Sequence, residues 1–397
     1  MIGLKVEYML KAAKEKLKQI QGISRFRIIM YAGIILLCIV LVMGIVGRST
    51  FFDSYTVISV IENNDNISEN YQVIGNNFIK YSKNGASYLN KNGEPLWNQA
   101  FEMKSPRAAA KGDYIAIGDI GSSIIRVFNQ SGQVNEINTV NLLENLEISS
   151  RGIIAAILSD DQSNFINLYD VSGTELVSIR ASLYETGYPI DIALSDDGKT
   201  LAVSYLYIKD GGAMTKIVFY NFGATDQEQA DKIIGAFEYD QLFPKIEFIN
   251  DTNVVAYGES KFVIFSAEST PKAILETPLE AEIQSLFSNS KYIGFVLKNG
   301  DNALEASDKT GKYRLQVYTA SGKLFLEKDF NFSYQTIIGS EEEIILYNDY
   351  QCVMYHYNGK EKFNYTFENS IRHILPLAAT NTFVLIDETA IQKIKLK

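Results

Sequence analysis

Cysteine, histidine and proline are scarce in this 397-residue chain, and each scarcity narrows what it can be. Of the two cysteines, Cys38 sits inside a long apolar run and Cys352 stands alone in the body, so the body has no internal disulfide and must be stabilised by burial. That does not exclude an extracytoplasmic location, because a core of this size needs no staple. The two histidines, His356 and His373, show neither His-x-x-x-His nor Glu-paired spacing, so a zinc centre or a nucleophilic triad lacks its parts. His356 falls in the alternating run Val353–Tyr357 and reads as a strand residue, and Cys352 reads as a small buried side chain.

Other signatures are missing too. There is no P-loop, no dinucleotide fingerprint and no Gly-x-Ser-x-Gly elbow. The acidic groups Asp160-Asp161, Asp196-Asp197 and Asp301 with Asp308 lack the alternating ligands and terminal Glu of a calcium loop, so they read as turn acids. No catalytic residue, metal or cofactor is expected. Carboxylate pairs assembled from distant segments remain open.

Aromatic side chains are abundant: 24 Tyr and 22 Phe against only 7 Pro suit packed strands and argue against disorder. The net charge of −10 is unevenly placed. Residues 1–27 carry seven Lys/Arg against Glu7 and Glu15, about +5, which leaves about −15 for the remainder. An acidic body repels phosphates, so nucleic acid is not an expected partner.

Ile28 to Val46 runs for 19 residues without a charge, between Arg27 and Arg48, roughly the length that crosses a 30 Å hydrocarbon layer. The run exceeds a secretory signal's apolar stretch, and Gly44-Ile-Val-Gly47-Arg48 is a poor cleavage site. Residues 28–47 are therefore expected to be an uncleaved signal anchor in the lipid bilayer. Basic residues before the span and acidic ones after it place arm 1–27 in the cytoplasm and residues 54–397 outside, in a single-pass arrangement. Leu10, Ala13, Leu17 and Ile20 recur among lysines, as in a helix lying on anionic lipid or a solvated one.

From residue 54 onward, short apolar runs bounded by Gly, Asn, Asp and Ser replace helical periodicity. One marker strand recurs as Asn77–Ser82, Asp113–Gly118, Gly152–Leu158, Thr200–Ser204, Asn253–Gly258, Lys291–Leu297, Glu343–Tyr347 and Thr382–Ile386. The spacing, roughly 36–53 residues, is that of a four-stranded propeller blade. A second run follows most markers and ends in an aromatic, three residues and a glycine: Phe128 with Gly132, Tyr169 with Gly173, Phe219 with Gly223, Tyr318 with Gly322, Tyr355 with Gly359. With strands lettered A to D, the marker is B, the aromatic run C, and the run after glycine D.

The last unit has A near Ile371–Leu377, B at Thr382–Ile386 and C at Ala390–Leu396, and no D. The run Tyr55–Ile61 precedes the first unit and lacks a marker. Pairing it with the last three strands closes a ring and removes open edges. The expected fold is an all-β propeller of eight blades, with seven as the alternative, since the fifth and last units have weak turns.

The stretch Leu194-Ser-Asp-Asp-Gly-Lys-Thr-Leu-Ala-Val-Ser204 resembles a hairpin of WD40-like and TolB-like propellers, and Gly93-Glu-Pro-Leu-Trp97 resembles the docking turn of quinoprotein-like ones. Only Trp97 among the units carries that tryptophan, so no quinone-linked function is implied. The whole plan resembles an uncharacterised clostridial family of single-span membrane proteins of unknown function.

In such a meander the A–B and C–D turns share one face, and the B–C and D–A connections share the other. C–D turns are short, whereas B–C connections diverge at Ser159–Asn164, Lys209–Met214 and Asn299–Lys312. Long loops on a rigid scaffold commonly carry function. Asp160, Asp161, Lys209, Asp210, Asp301 and Asp308 are therefore the expected partner-binding residues. Ser49–Asp53 span at most about 17 Å, so the short-turn face is expected to look toward the membrane. The expected function is an envelope protein-interaction or scaffold module; the alternative is a ligand-binding or hydrolytic propeller with its site at the central channel.

Overall fold

The computed structural model describes residues 30, 50–63, 69–182, 186–223, 232–299 and 311–397. Arm 1–27 and, apart from Met30, span 28–47 lie outside the described residues. Among the described residues no helix is long and apolar enough to cross a membrane. The body is one compact unit, Phe52–Lys397.

Eight four-stranded antiparallel sheets make up that unit. Seven are consecutive meanders, and the eighth has the order Tyr55–Glu62, Ala390–Leu396, Thr382–Asp387, Ile371–Pro376. The first strand is thus the D strand of the last blade, paired from Tyr55 opposite Leu396 to Glu62 opposite Ala390 with one register shift between Val57 and Ser59. Eight blades are present, not seven.

The reason the B strands stood out in sequence is their burial. In blade 3 the B strand Ile154–Ser159 is buried at its first five positions, whereas the D strand Glu175–Ala181 alternates between exposed and half-buried until its last residue. A strand covered by neighbouring blades on both faces needs apolar side chains at every position, and an outer strand only at every second. The core is correspondingly interbladed: one cluster joins Ala116 and Val127 of blade 2 to Leu146 and Ile154 of blade 3. Another joins Phe78 and Leu89 of blade 1 to Val384 and Ile391 of blade 8, so the ring is continuous across the chain ends.

Each D strand carries a bulge near its start. The extra residue is Leu96 in blade 1, Val134 in blade 2, Leu176 in blade 3, Ile234, Ile274 and Phe325 in blades 4 to 6, Lys362 in blade 7 and Ile58 in blade 8. Most of these side chains point to solvent, among them Leu96, Val134, Leu176, Ile274, Phe325 and Ile58. A bulge twists an edge strand away from flat pairing, which protects eight outer edges from joining other chains. Blade 7 differs: Lys362 turns inward and pairs with Glu343 at 2.5 Å, both side chains about 95% buried or more.

The turn glycines also lock neighbouring blades. Gly322 holds φ at +84°, and a Cβ there would lie 2.0 Å from the Leu275 side chain of blade 5. Gly322→Val is expected to destabilise the fold by about 2–4 kcal/mol through strain and overpacking together. Gly75 has φ +59° with nothing within 4 Å of its would-be Cβ, so Gly75→Asn should be nearly neutral. Urea unfolding of both variants checks the contrast.

Trp97 forms the same kind of lock. Its ring stacks between Tyr88, at 5.8 Å, and Phe128 of blade 2, at 5.2 Å, and its Nε1 donates to the Asn129 carbonyl. Trp97 thereby ties the D strand of blade 1 to blade 2.

Candidate functional site

Two regions are placed by this scaffold: the face bearing the B–C connections, and the channel lined by the A strands. On the first, Asp160 accepts hydrogen bonds from the backbone N–H groups of Gln162 and Ser163, so it shapes its own turn, while Asp161 is exposed beside it. Asp301 and Asp308 lie outside the described residues. Asn299 Nδ2 bonds the Gly311 carbonyl at 2.7 Å, which ties together the two ends of that connection.

Lys209–Met214 is not an irregular loop, and this corrects the expectation from sequence. The B strand Thr200–Lys209 and the C strand Gly212–Asn221 run ten residues each and meet in a two-residue turn, with φ +52° at Asp210 and +78° at Gly211. Two positive φ values define a tight turn that matches strand twist, and Asp-Gly is its usual sequence. The A strand pairs only as far as Leu206, and the D strand only from Thr215. Tyr207–Lys209 and Gly212–Met214 therefore pair only with each other, and the hairpin stands out from the blade with Ile208 61% exposed at its end. Lys209 and Asp210 occupy its tip, on the face that also carries Asp160 and Asp161, and among the described residues no hydrogen bond or ion pair joins the two groups.

The channel was less legible. In blades 3, 4 and 5 the A strands are Leu142–Ile148, Tyr188–Leu194 and Lys245–Phe248. Asn145 Nδ2 donates to Asp191 Oδ1 at 2.7 Å, and the Ile246 N–H donates to Asp191 Oδ2 at 2.9 Å. Asp191 thereby links three consecutive blades at their innermost strands. Burial raises its pKa, against the opposing effects of the Ile246 N–H, Lys245, the Ile192 N–H and Asn145.

Glu147, near the end of the blade 3 A strand, is half-buried, so water reaches it in part, yet protein surrounds it on nearly every side. Burial pushes its carboxyl up to about 7; the charge of Asp191 adds to this, and Arg107, Lys245 and Lys111 oppose it. A carboxyl pKa raised on folding means that ionisation favours the unfolded chain. Stability should therefore fall as pH rises from about 4.5 to about 7, and then level off. Glu147→Gln removes that loss: the variant should nearly match the parent at pH 4.5 and exceed it by about 3 kcal/mol at pH 8, as chemical denaturation at the two pH values would measure.

Asn145 and Asp191 each sit four residues before a serine, Ser149 and Ser195, that opens the A–B turn. The shared offset from that serine was the available signal, clearest for Asp191, whose strand Tyr188–Leu194 has no other charged residue. Periodicity alone does not say which A-strand positions approach the axis.

Cys352 and the two histidines are packed within the blades. Cys352 is fully buried, and burial first, then Glu343, pushes its thiol far up. His356 is buried at the end of its strand, and His373 packs 4.9 Å from Tyr71. Among the described residues no group of three or more His, Cys, Asp or Glu is placed to hold a metal.

Eight radial four-stranded sheets closed by a strand from the opposite chain end define an eight-bladed β-propeller. Within that class, the chain belongs to a family of unknown function (DUF5711), whose model matches residues 48–396. Among solved structures it is similar to BamB from Moraxella catarrhalis, with 11% identity over 86% of this chain and 100% of that one, at a TM-score of 0.51. A eukaryotic initiation factor is similar at a TM-score of 0.52, with 13% identity over 87% of each chain. Both likenesses are of fold. No curated protein matches the sequence.

Proposed function

We propose that this propeller is a protein-interaction or scaffold module of the cell envelope, held to the lipid bilayer by residues 28–47, with arm 1–27 in the cytoplasm. One observation carries the interaction reading: a rigid ring presents a regular hairpin beyond its own blade, tipped by exposed Ile208 beside Lys209 and Asp210. An apolar side chain held out by a paired ribbon, with charges next to it, is a preorganised contact for a protein partner. Asp160 and Asp161 on the adjacent blade, and Asp301 and Asp308 in the sixth B–C connection, would extend that contact. Nucleic acid is disfavoured by the acidic charge of the body.

A photo-crosslinking residue in place of Lys209 in intact cells should capture one specific envelope protein, and the same residue in place of Lys272, on an outer strand, should not. Equal capture at both positions would refute the reading. For the anchor, protease added to protoplasts should digest the body; full protection would reverse the orientation.

A second reading has its own observation. Glu147 and Asp191 are two enclosed carboxylates of the innermost strands, the pattern expected of a ligand-binding or hydrolytic site at the channel. In that case Glu147→Gln would abolish a measured activity while the fold is kept.

A further inference from the structure

The seam between blades 7 and 8 is unlike the others, because one of its walls comes from the N-terminal strand. A cleft of about 310 Å³ lies there. Tyr55 comes from the closing strand, Tyr365, Phe367 and Glu368 from blade 7 and the connection after it, and Asp387 and Gln392 from blade 8. We infer that this cleft is a binding site for a small organic ammonium ion.

Three rings line it, with Tyr365 set steeply against the other two. Tyr55 lies 5.2 Å from Tyr365 and 5.5 Å from Phe367, and Tyr365 lies 4.9 Å from Phe367, with interplanar angles of 82°, 35° and 67°. Aromatic groups set at different angles around a small cavity attract a desolvated cation through the ring quadrupole. Two carboxylates give the cleft its sign. Glu368 is exposed at its edge and makes no hydrogen bond or ion pair among the described residues.

Asp387 is buried and stays ionised. Burial alone would raise its carboxyl, but hydrogen bonds from the Thr389 N–H and hydroxyl, the Ala390 N–H and Asn369 hold it below the usual carboxylate range. All its donors, including Gln392 Nε2 at 2.9 Å, are neutral, so its charge is not cancelled by them. The Tyr55 phenol responds to the same field: its pKa is raised, first by burial and then by Tyr365, Glu368 and Asp387.

The arrangement of donors separates an ammonium ion from a metal. Oδ1 of Asp387 already accepts three hydrogen bonds and Oδ2 two, which fills its lone pairs and leaves no direction for inner-sphere coordination. What remains is long-range negative charge beside aromatic rings, which suits a cation that needs no coordination bonds. The volume is at the small end of ligand pockets and fits a group of a few heavy atoms.

Because its walls come from both chain ends, an occupant would stabilise ring closure. The test uses the full-length chain in detergent, titrated with tetramethylammonium chloride against potassium chloride and tert-butanol as controls. Tetramethylammonium should raise the unfolding temperature saturably, by about 3 °C at a hundredfold excess over its dissociation constant, and neither control should. Glu368→Gln should weaken binding about tenfold without changing the unfolding temperature of the free protein, and Tyr365→Leu should weaken it several-fold. The inference is overturned by the absence of a saturable shift, by tert-butanol acting equally well, or by unchanged affinity in Glu368→Gln.

Discussion

A chain lacking residues 55–62 is expected not to form a stable monomeric propeller. The deleted strand pairs along its length with Ala390–Leu396, so its loss exposes a full row of backbone groups on the last C strand. It also removes Tyr55 from the cluster that joins blades 7 and 8. An unpaired apolar edge in a ring that can no longer close recruits other chains. Size-exclusion chromatography should show aggregates, and thermal unfolding should lose its cooperative transition. Supplying a peptide of residues 52–63 should restore part of the monomer; a monomer with unchanged unfolding would show that closure does not depend on this strand.

The second large effect concerns the inward lysine of blade 7. Lys362→Met would leave Glu343 buried without its cation, with only Ser340 Oγ hydrogen-bonded to the carboxylate. Removing one partner of a buried ion pair costs about 3–5 kcal/mol, mostly for the charge left behind. The double variant Lys362→Met with Glu343→Leu should regain most of that loss, because an apolar pair of similar volume carries no desolvation penalty. Denaturant unfolding of the single and double variants checks both. Lys362 also supplies the carbonyl that accepts the Phe52 N–H, and Phe52 bridges Phe363 in parallel, so this blade guides the chain into the closing strand.

The two effects arise from features of different legibility. The closing strand could be read because a missing D strand at one end and a surplus run at the other are countable. The marker strands could be read because burial on both faces demands continuous apolar runs; Asn77–Ser82 and Glu343–Tyr347 match the structure residue for residue. The inward turn of Lys362 could not, since the bulge that redirects it recurs in every blade with an outward residue in most of them.

The candidate sites divide in the same way. The Asp210-Gly211 turn was written in the sequence, yet the surrounding Lys209–Met214 read as a divergent loop because the hairpin's outer half has no third strand to give it a burial period. Glu147 and Asp191 are ordinary acids in ordinary strands. What makes them unusual is the approach of neighbouring innermost strands around an axis, a relation between blades some 46 residues apart in sequence, as between Asn145 and Asp191. The ammonium cleft depends on Tyr55 meeting Phe367, a contact that exists only once the ring has closed.

Closure of the ring by its first strand is the central claim, and hydrogen exchange of the intact chain tests it most directly. The amides of Tyr55–Glu62 that bond to the last C strand should exchange as slowly as those of Ala390–Leu396, with both sets released in the same global opening. Exchange of residues 55–62 at the rate of an unstructured peptide, while 390–396 stay protected, would contradict the closed eight-bladed ring.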